Sequence, residues 1–189
     1  MELWEILEIA GAAVGLLYLW FQYRASVWLW PVGIVMPAIY VYIFFVSGVY
    51  ANMGINAYYI LAAIYGWWVW LRKSKRGERE YPVTRTPRRI WLPAMAVGVA
   101  LFVVISWVLI RFTDSPIPFG DSFTTAFSIV ALWMLARKWA EQWLMWLVID
   151  GISVGLYLHL ELYPTAALFA VYSVVSVFGY RKWLRMARI

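Results

Sequence analysis

The stretch WFQYRASVWLW, residues 20–30, returns 113 positions later as WMLARKWAEQW, residues 133–143. Trp20 meets Trp133, Arg24 meets Arg137 and Trp30 meets Trp143. The same register, without a gap, sets Tyr50 on Tyr163, Tyr59 on Tyr172 and Gly66 on Gly179. It also sets Trp70-Leu71-Arg72 on Trp183-Leu184-Arg185. Self-similarity at one fixed offset is the mark of a repeated architecture. Each copy is a short polar turn between two apolar runs, so the repeated unit consists of segments that meet an apolar solvent.

That solvent is lipid. Of the 189 residues, 65% are hydrophobic and only 14% charged. A soluble domain of this size has nothing to bury so much apolar surface against. Seven spans are expected, at about 3–22, 27–47, 53–71, 90–111, 122–136, 140–160 and 164–183, most of them near the ~20 residues that cross the hydrocarbon as helix. Helix is expected over strand because it satisfies its own backbone in lipid. Pro37 places a kink in the second span. The start, MELWEILEIAGAAVG, is acidic rather than basic, so it reads as the first span and not as a cleaved leader. Glu8 within it reads as a solvated carboxylate near the outer surface.

The fold class follows: an all-α integral membrane protein of seven transmembrane helices, arranged three plus one plus three. Residues 1–72 form the first three-helix repeat. Residues 73–113 hold a cytoplasmic loop and the connector helix, and 114–189 form the second repeat. One connector returns the chain to its starting side, so the halves are expected to run parallel, related by an axis along the membrane normal. Orientation follows from charge. RKSKRGEREYPVTRTPRR, residues 72–89, is strongly basic and reads as cytoplasmic. Of the 16 Lys and Arg residues, all but Arg111 then fall on that side, with the N-terminus outside and the C-terminus inside. The net charge of +6 is thus a topology signal, and no nucleic-acid partner is expected. With no cysteine, disulfide and thiolate chemistry are excluded.

One carboxylate lies deep in a span. Asp150, in WLMWLVIDGISVGLY (143–157), is about 20 Å from either boundary at ~1.5 Å per helical residue. A charge at that depth costs on the order of 3 kcal/mol or more, so it is expected to face a cavity or a partner. Trp139, Trp143, Trp146, Ser153 and Tyr157 share its helix face within roughly 80° of arc. Aromatic faces beside one anion suit a flat organic cation. A protonated or hydrogen-bonded packing group is the alternative for Asp150, and an interfacial belt the alternative for the Trp pair. Asn56 and Tyr59 on the third span, with Tyr172 at the matching position of the seventh beside Phe169, are further candidate ligand contacts. Trp30 is the counterpart of Trp143, but Pro37 stands where the second half has Asp150, so the halves share a frame and not a chemistry. Gly66 and Gly179 read as sites of close helix approach. His159 lies near the outer end of its span. Neither a Walker-type glycine loop nor a metal-ligating cluster is present, so no cofactor and no metal are expected. An enzyme or assembly factor in the membrane is the other function class, but catalysis needs several polar groups converging at one depth, and only Asp150 qualifies.

The segments YANMGINAYYILAAIYGWWVWLR (50–72) and ARKWAEQWLMWLVIDGISVGLYLHLELYPTAALFAVYSVVSVFGYRKW (136–183) resemble the PnuC family of bacterial vitamin transporters. The resemblance covers nearly the whole chain. It implies a seven-helix fold akin to the SWEET sugar transporters and a homotrimer in the bacterial inner membrane. It also implies facilitated diffusion of thiamine or nicotinamide riboside, with a cytoplasmic kinase trapping the vitamin. Both vitamins are flat aromatic cations, in keeping with Asp150. The family's WxxW element falls on Trp143 and Trp146. Asp150, where riboside carriers have Asn, shifts the expectation toward thiamine, with nicotinamide riboside as the alternative.

Overall fold

The computed structural model describes residues 3–46, 50–74, 82–113 and 115–187, with side chains omitted for 3–12, 50–52 and 73–74. The Glu8 side chain and residues 75–81 of the basic loop lie outside the described residues. Seven helices follow one another: α1 (Leu3–Tyr23), α2 (Leu29–Val46), α3 (Tyr50–Ser74), α4 (Arg88–Phe112), α5 (Pro118–Ala136), α6 (Gln142–His159) and α7 (Tyr163–Met186). They match the expected spans closely. The fifth begins a turn earlier than expected, at Pro118, where proline sets the helical φ and its missing N–H costs nothing. Pro37 lies inside α2. Four helices, α2, α4, α5 and α7, are long and apolar enough to cross a membrane. On α4 the large side chains of Leu92, Val103, Trp107 and Phe112 are all exposed, as a lipid-facing helix requires.

The chain forms two compact units, Met1–Tyr81 and Pro82–Ile189. In the first, α2 packs on both α1 and α3. In the second, α4 packs on α5, α5 on α6 and α6 on α7, so the connector helix belongs to the second unit.

The same local devices occur in both units, 113 residues apart. Ala25 and Lys138 both take the left-handed conformation, with φ of 54° and 57°. The backbone closes each helix alike: Ser26 N–H donates to Phe21 C=O at 2.9 Å and Trp139 N–H to Met134 C=O at 3.2 Å. These six-to-one bonds satisfy the last carbonyls of α1 and α5. Arg24 lies over the Trp20 ring and Arg137 over Trp133, at 5.4 and 5.9 Å. Beyond the turn, Trp30 is buried with its ring against Gly66 and its edge on Trp70, 5.4 Å between centroids. Trp143 is buried against Gly179 and meets Trp183 edge-on at 5.9 Å. Glycine is required at both seats, because a Cβ on Gly179 would stand 2.6 Å from two Trp143 ring carbons and one on Gly66 would overlap Trp30. Gly179→Ala and Gly66→Ala are each expected to destabilise the protein by about 1–3 kcal/mol through overpacking. Gly151→Ala, where a Cβ meets only open space, serves as the control. Thermal melting in detergent measures the difference, and equal melting of all three would refute the seat.

The second unit carries a further device. Residues 82–87 lie as a strap along the α5–α6 turn. Thr84 N–H donates to Lys138 C=O at 3.1 Å and Thr84 C=O accepts from Ala140 N–H at 2.9 Å. Glu141, buried in the turn, accepts from the Thr86 N–H at 2.6 Å, the Thr86 hydroxyl at 2.9 Å and Arg85 Nε at 3.3 Å. The hydrogen bond and charge of Glu141 hold the exposed Arg85 guanidinium above its ordinary pKa. The position matching Glu141 in the first unit is Trp28, which is exposed.

Candidate functional site around Asp150

Helix α6 divides its faces between neighbours. Met145 and Ile149 enter an apolar cluster with Ala94 of α4 and Val130, Ala131 and Met134 of α5. Trp146 packs against that same cluster, with its indole N–H buried and unbonded among the described residues. Trp143 points to α7, over Gly179. These contacts fix the rotation of α6 and with it the placement of Asp150, one position past Ile149.

Asp150 is buried, 5% exposed. Among the described residues no hydrogen bond or ion pair reaches its carboxylate. Ser153, also buried, donates its hydroxyl to the Ile149 carbonyl at 2.9 Å, so its proton is used within the helix and its oxygen remains an acceptor. The phenol of Tyr172 on α7 lies within the electrostatic reach of Asp150. Tyr172 meets Phe169 edge-on at 5.8 Å, and Phe169 stacks on Tyr157 at 5.1 Å with 26° between planes. A series of three aromatic rings thus begins at Tyr172, near the carboxylate, and leads away from it through Phe169 to Tyr157. A buried carboxylate that the protein leaves unpaired is completed by a proton or by a cation from outside.

The sequence candidates divide into three groups. Asp150, Ser153, Tyr157 and Tyr172 are brought together on α6 and α7. Trp143, Trp30 and Trp146 are taken up in helix contacts, the first two 0% and 1% exposed with their rings against glycine and the third against the apolar cluster. Asn56 and Tyr59 are half-buried on α3 in the first unit, with Tyr59 5.8 Å from Tyr58. Phe169 links the two tyrosines, a role that its place in an apolar run did not signal. No group of three or more His, Cys, Asp or Glu that could hold a metal exists among the described residues.

The family model described as "Nicotinamide mononucleotide transporter" matches residues 5–185. The chain is 25% identical over 206 residues to the nicotinamide riboside transporter PnuC of Escherichia coli, covering 96% of this chain and 86% of that one. It is 25% identical over 185 residues to the riboflavin/roseoflavin transporter RibM of Streptomyces davaonensis, covering 96% and 85%. The crystal structure of the vitamin B3 transporter PnuC shares the fold, with a TM-score of 0.71 at 24% identity, over 94% of this chain and 80% of that one.

Proposed function

The chain belongs to the nicotinamide mononucleotide transporter family, and from that membership we propose that it carries nicotinamide riboside across the membrane. One observation carries the choice among the named substrates: Asp150 is a buried carboxylate with no basic partner among the described residues. Nicotinamide riboside bears a pyridinium charge, which this carboxylate complements. Nicotinamide mononucleotide adds a phosphate, which it repels, and riboflavin has no cationic ring to offer it. Thiamine is also a cation, so charge does not separate it from the riboside. The names of the relatives favour the riboside, and the expectation of thiamine gives way to its alternative. The pyridinium would lie by Asp150, with Tyr172 the nearest of the three linked rings. Transport rather than catalysis also agrees with the relatives, which are transporters.

The same reading includes a three-plus-one-plus-three repeat, supported by the paired turns and Trp–Gly seats. It includes a basic cytoplasmic face with the N-terminus outside, supported by the distribution of Lys and Arg. Placement in the bacterial inner membrane, downhill flux, trapping by a cytoplasmic kinase and a homotrimer rest on the family resemblance.

Uptake of radiolabelled nicotinamide riboside into liposomes holding the purified protein tests the proposal. Excess unlabelled riboside should compete strongly, and the mononucleotide and riboflavin weakly. Stronger competition by thiamine or riboflavin than by the riboside would overturn the assignment.

A further inference from the structure

We propose that Asp121 is a second station for the cation, feeding Asp150 along the aromatic rings between them. The proposal rests on the cationic-substrate reading above. Asp121 lies in the first turn of α5, at the end of the second unit away from the basic α5–α6 turn. The close approach of α5 and α6 puts it there: a Cβ on Gly120 would meet the Leu156 side chain at 2.6 Å. Gly120 and Leu156 are therefore at one level, their chain neighbours Asp121 and Tyr157 fall within about one helical turn of each other, and the carboxylate lies within electrostatic reach of the Tyr157 hydroxyl. Tyr157 stacks on Phe169, and Phe169 meets Tyr172 edge-on, where the field of Asp150 takes over. The rings thus run from one carboxylate to the other. Seven residues of α6 separate the Tyr157 and Asp150 levels, about 10 Å of helix. A nucleoside cation is of similar length, so on leaving one anion it already feels the other.

Asp121 is held for this task. The Ser115 hydroxyl donates to Asp121 Oδ2 at 2.6 Å, and the Ile117 N–H in turn donates to Ser115 Oγ at 3.3 Å. Asp121 remains half-buried rather than sealed. Glu161, in the α6–α7 turn, and Arg111, in the last turn of α4, are also exposed on this side. A half-buried anion at the entrance of a cation path raises the local substrate concentration and the capture rate, an effect that salt screens.

The experiment compares nicotinamide riboside with its neutral 1,4-dihydro form in proteoliposomes at low and high salt. Asp121→Asn should raise the half-saturating concentration of the cation roughly three- to tenfold at low salt, leaving the maximal rate and the neutral form unchanged. High salt should shrink the difference, and Asp121→Glu should restore capture. Ser115→Ala removes the fastening and keeps the charge, so it should leave cation preference intact. If Ser115→Ala reproduces the Asp121→Asn loss, or if Asp121→Asn harms both compounds equally, Asp121 only fastens the loop and the proposal is wrong. Preference for the cation that Asp150→Asn abolishes and Asp121→Asn leaves untouched overturns this proposal alone. A wild-type protein that carries both compounds equally well overturns the cation reading and this proposal together.

Discussion

Asp150→Ala is expected to weaken binding of a cationic vitamin by a factor of tens to thousands. Truncating one partner of a desolvated charge pair costs about 2–5 kcal/mol, much of it from leaving the other charge without a counter-ion. Asp150 is 5% exposed and takes no partner from the described part of the protein, so the ligand is left to supply one. Asp150→Asn keeps the shape and some hydrogen bonding, and should lose less. The comparison that matters is between the cation and a neutral compound of the same shape, measured by calorimetry or uptake. Both variants should damage binding of the cation much more than that of the neutral form. Equal losses in a folded protein would make Asp150 a packing group, and recognition would then rest on Tyr157, Phe169 and Tyr172 alone.

Glu141→Ala should be the most destabilising change on the basic face, by roughly 2–5 kcal/mol. The loss is large because Glu141 accepts two hydrogen bonds from Thr86, and both residues are buried. Removing the carboxylate orphans a backbone N–H as well as a hydroxyl. Arg85 adds little, being 62% exposed at its side chain, where an ion pair is screened. Glu141→Gln keeps an acceptor and should cost less. Melting in detergent gives the ranking, and a cysteine at the buried Val83 should become reactive only when the strap is loosened. An Ala variant that melts with the wild type and leaves position 83 protected would show that the strap is held by its backbone pairing alone.

The helices were legible because lipid forces each crossing to be long, apolar and internally bonded, and their limits were set by prolines and polar turns. The glycines at 66 and 179 were legible as points of close approach, but not what approaches them. A helix face is defined by spacing, whereas the neighbour that covers it is defined by packing. Trp143 shares the face of Asp150 by that spacing, yet its ring is sealed against Gly179 while Asp150 is flanked by Tyr172. The pairing of Glu141 with Thr86 was illegible for a different reason. It joins residues 55 positions apart across a segment with no periodicity, and a threonine in a basic loop looks like any other solvated residue. The link from Tyr157 through Phe169 to Tyr172 was half legible: all three aromatics fell on marked faces of their spans, but spacing within one helix does not say which ring of the next helix it meets.

The strap also sets an order of assembly. Synthesis delivers residues 82–87 before Glu141, and the turn that holds them does not exist until α5 and α6 have been inserted. Until then Thr86 must keep its N–H and hydroxyl in water, at the membrane surface. Closure of the second unit is therefore a late event in biogenesis, a contact made across the whole length of α4 and α5 with the loop-closure entropy that implies. A chain interrupted before α6 therefore keeps its basic segment undocked, because Glu141 and Ala140 are not yet there to hold it.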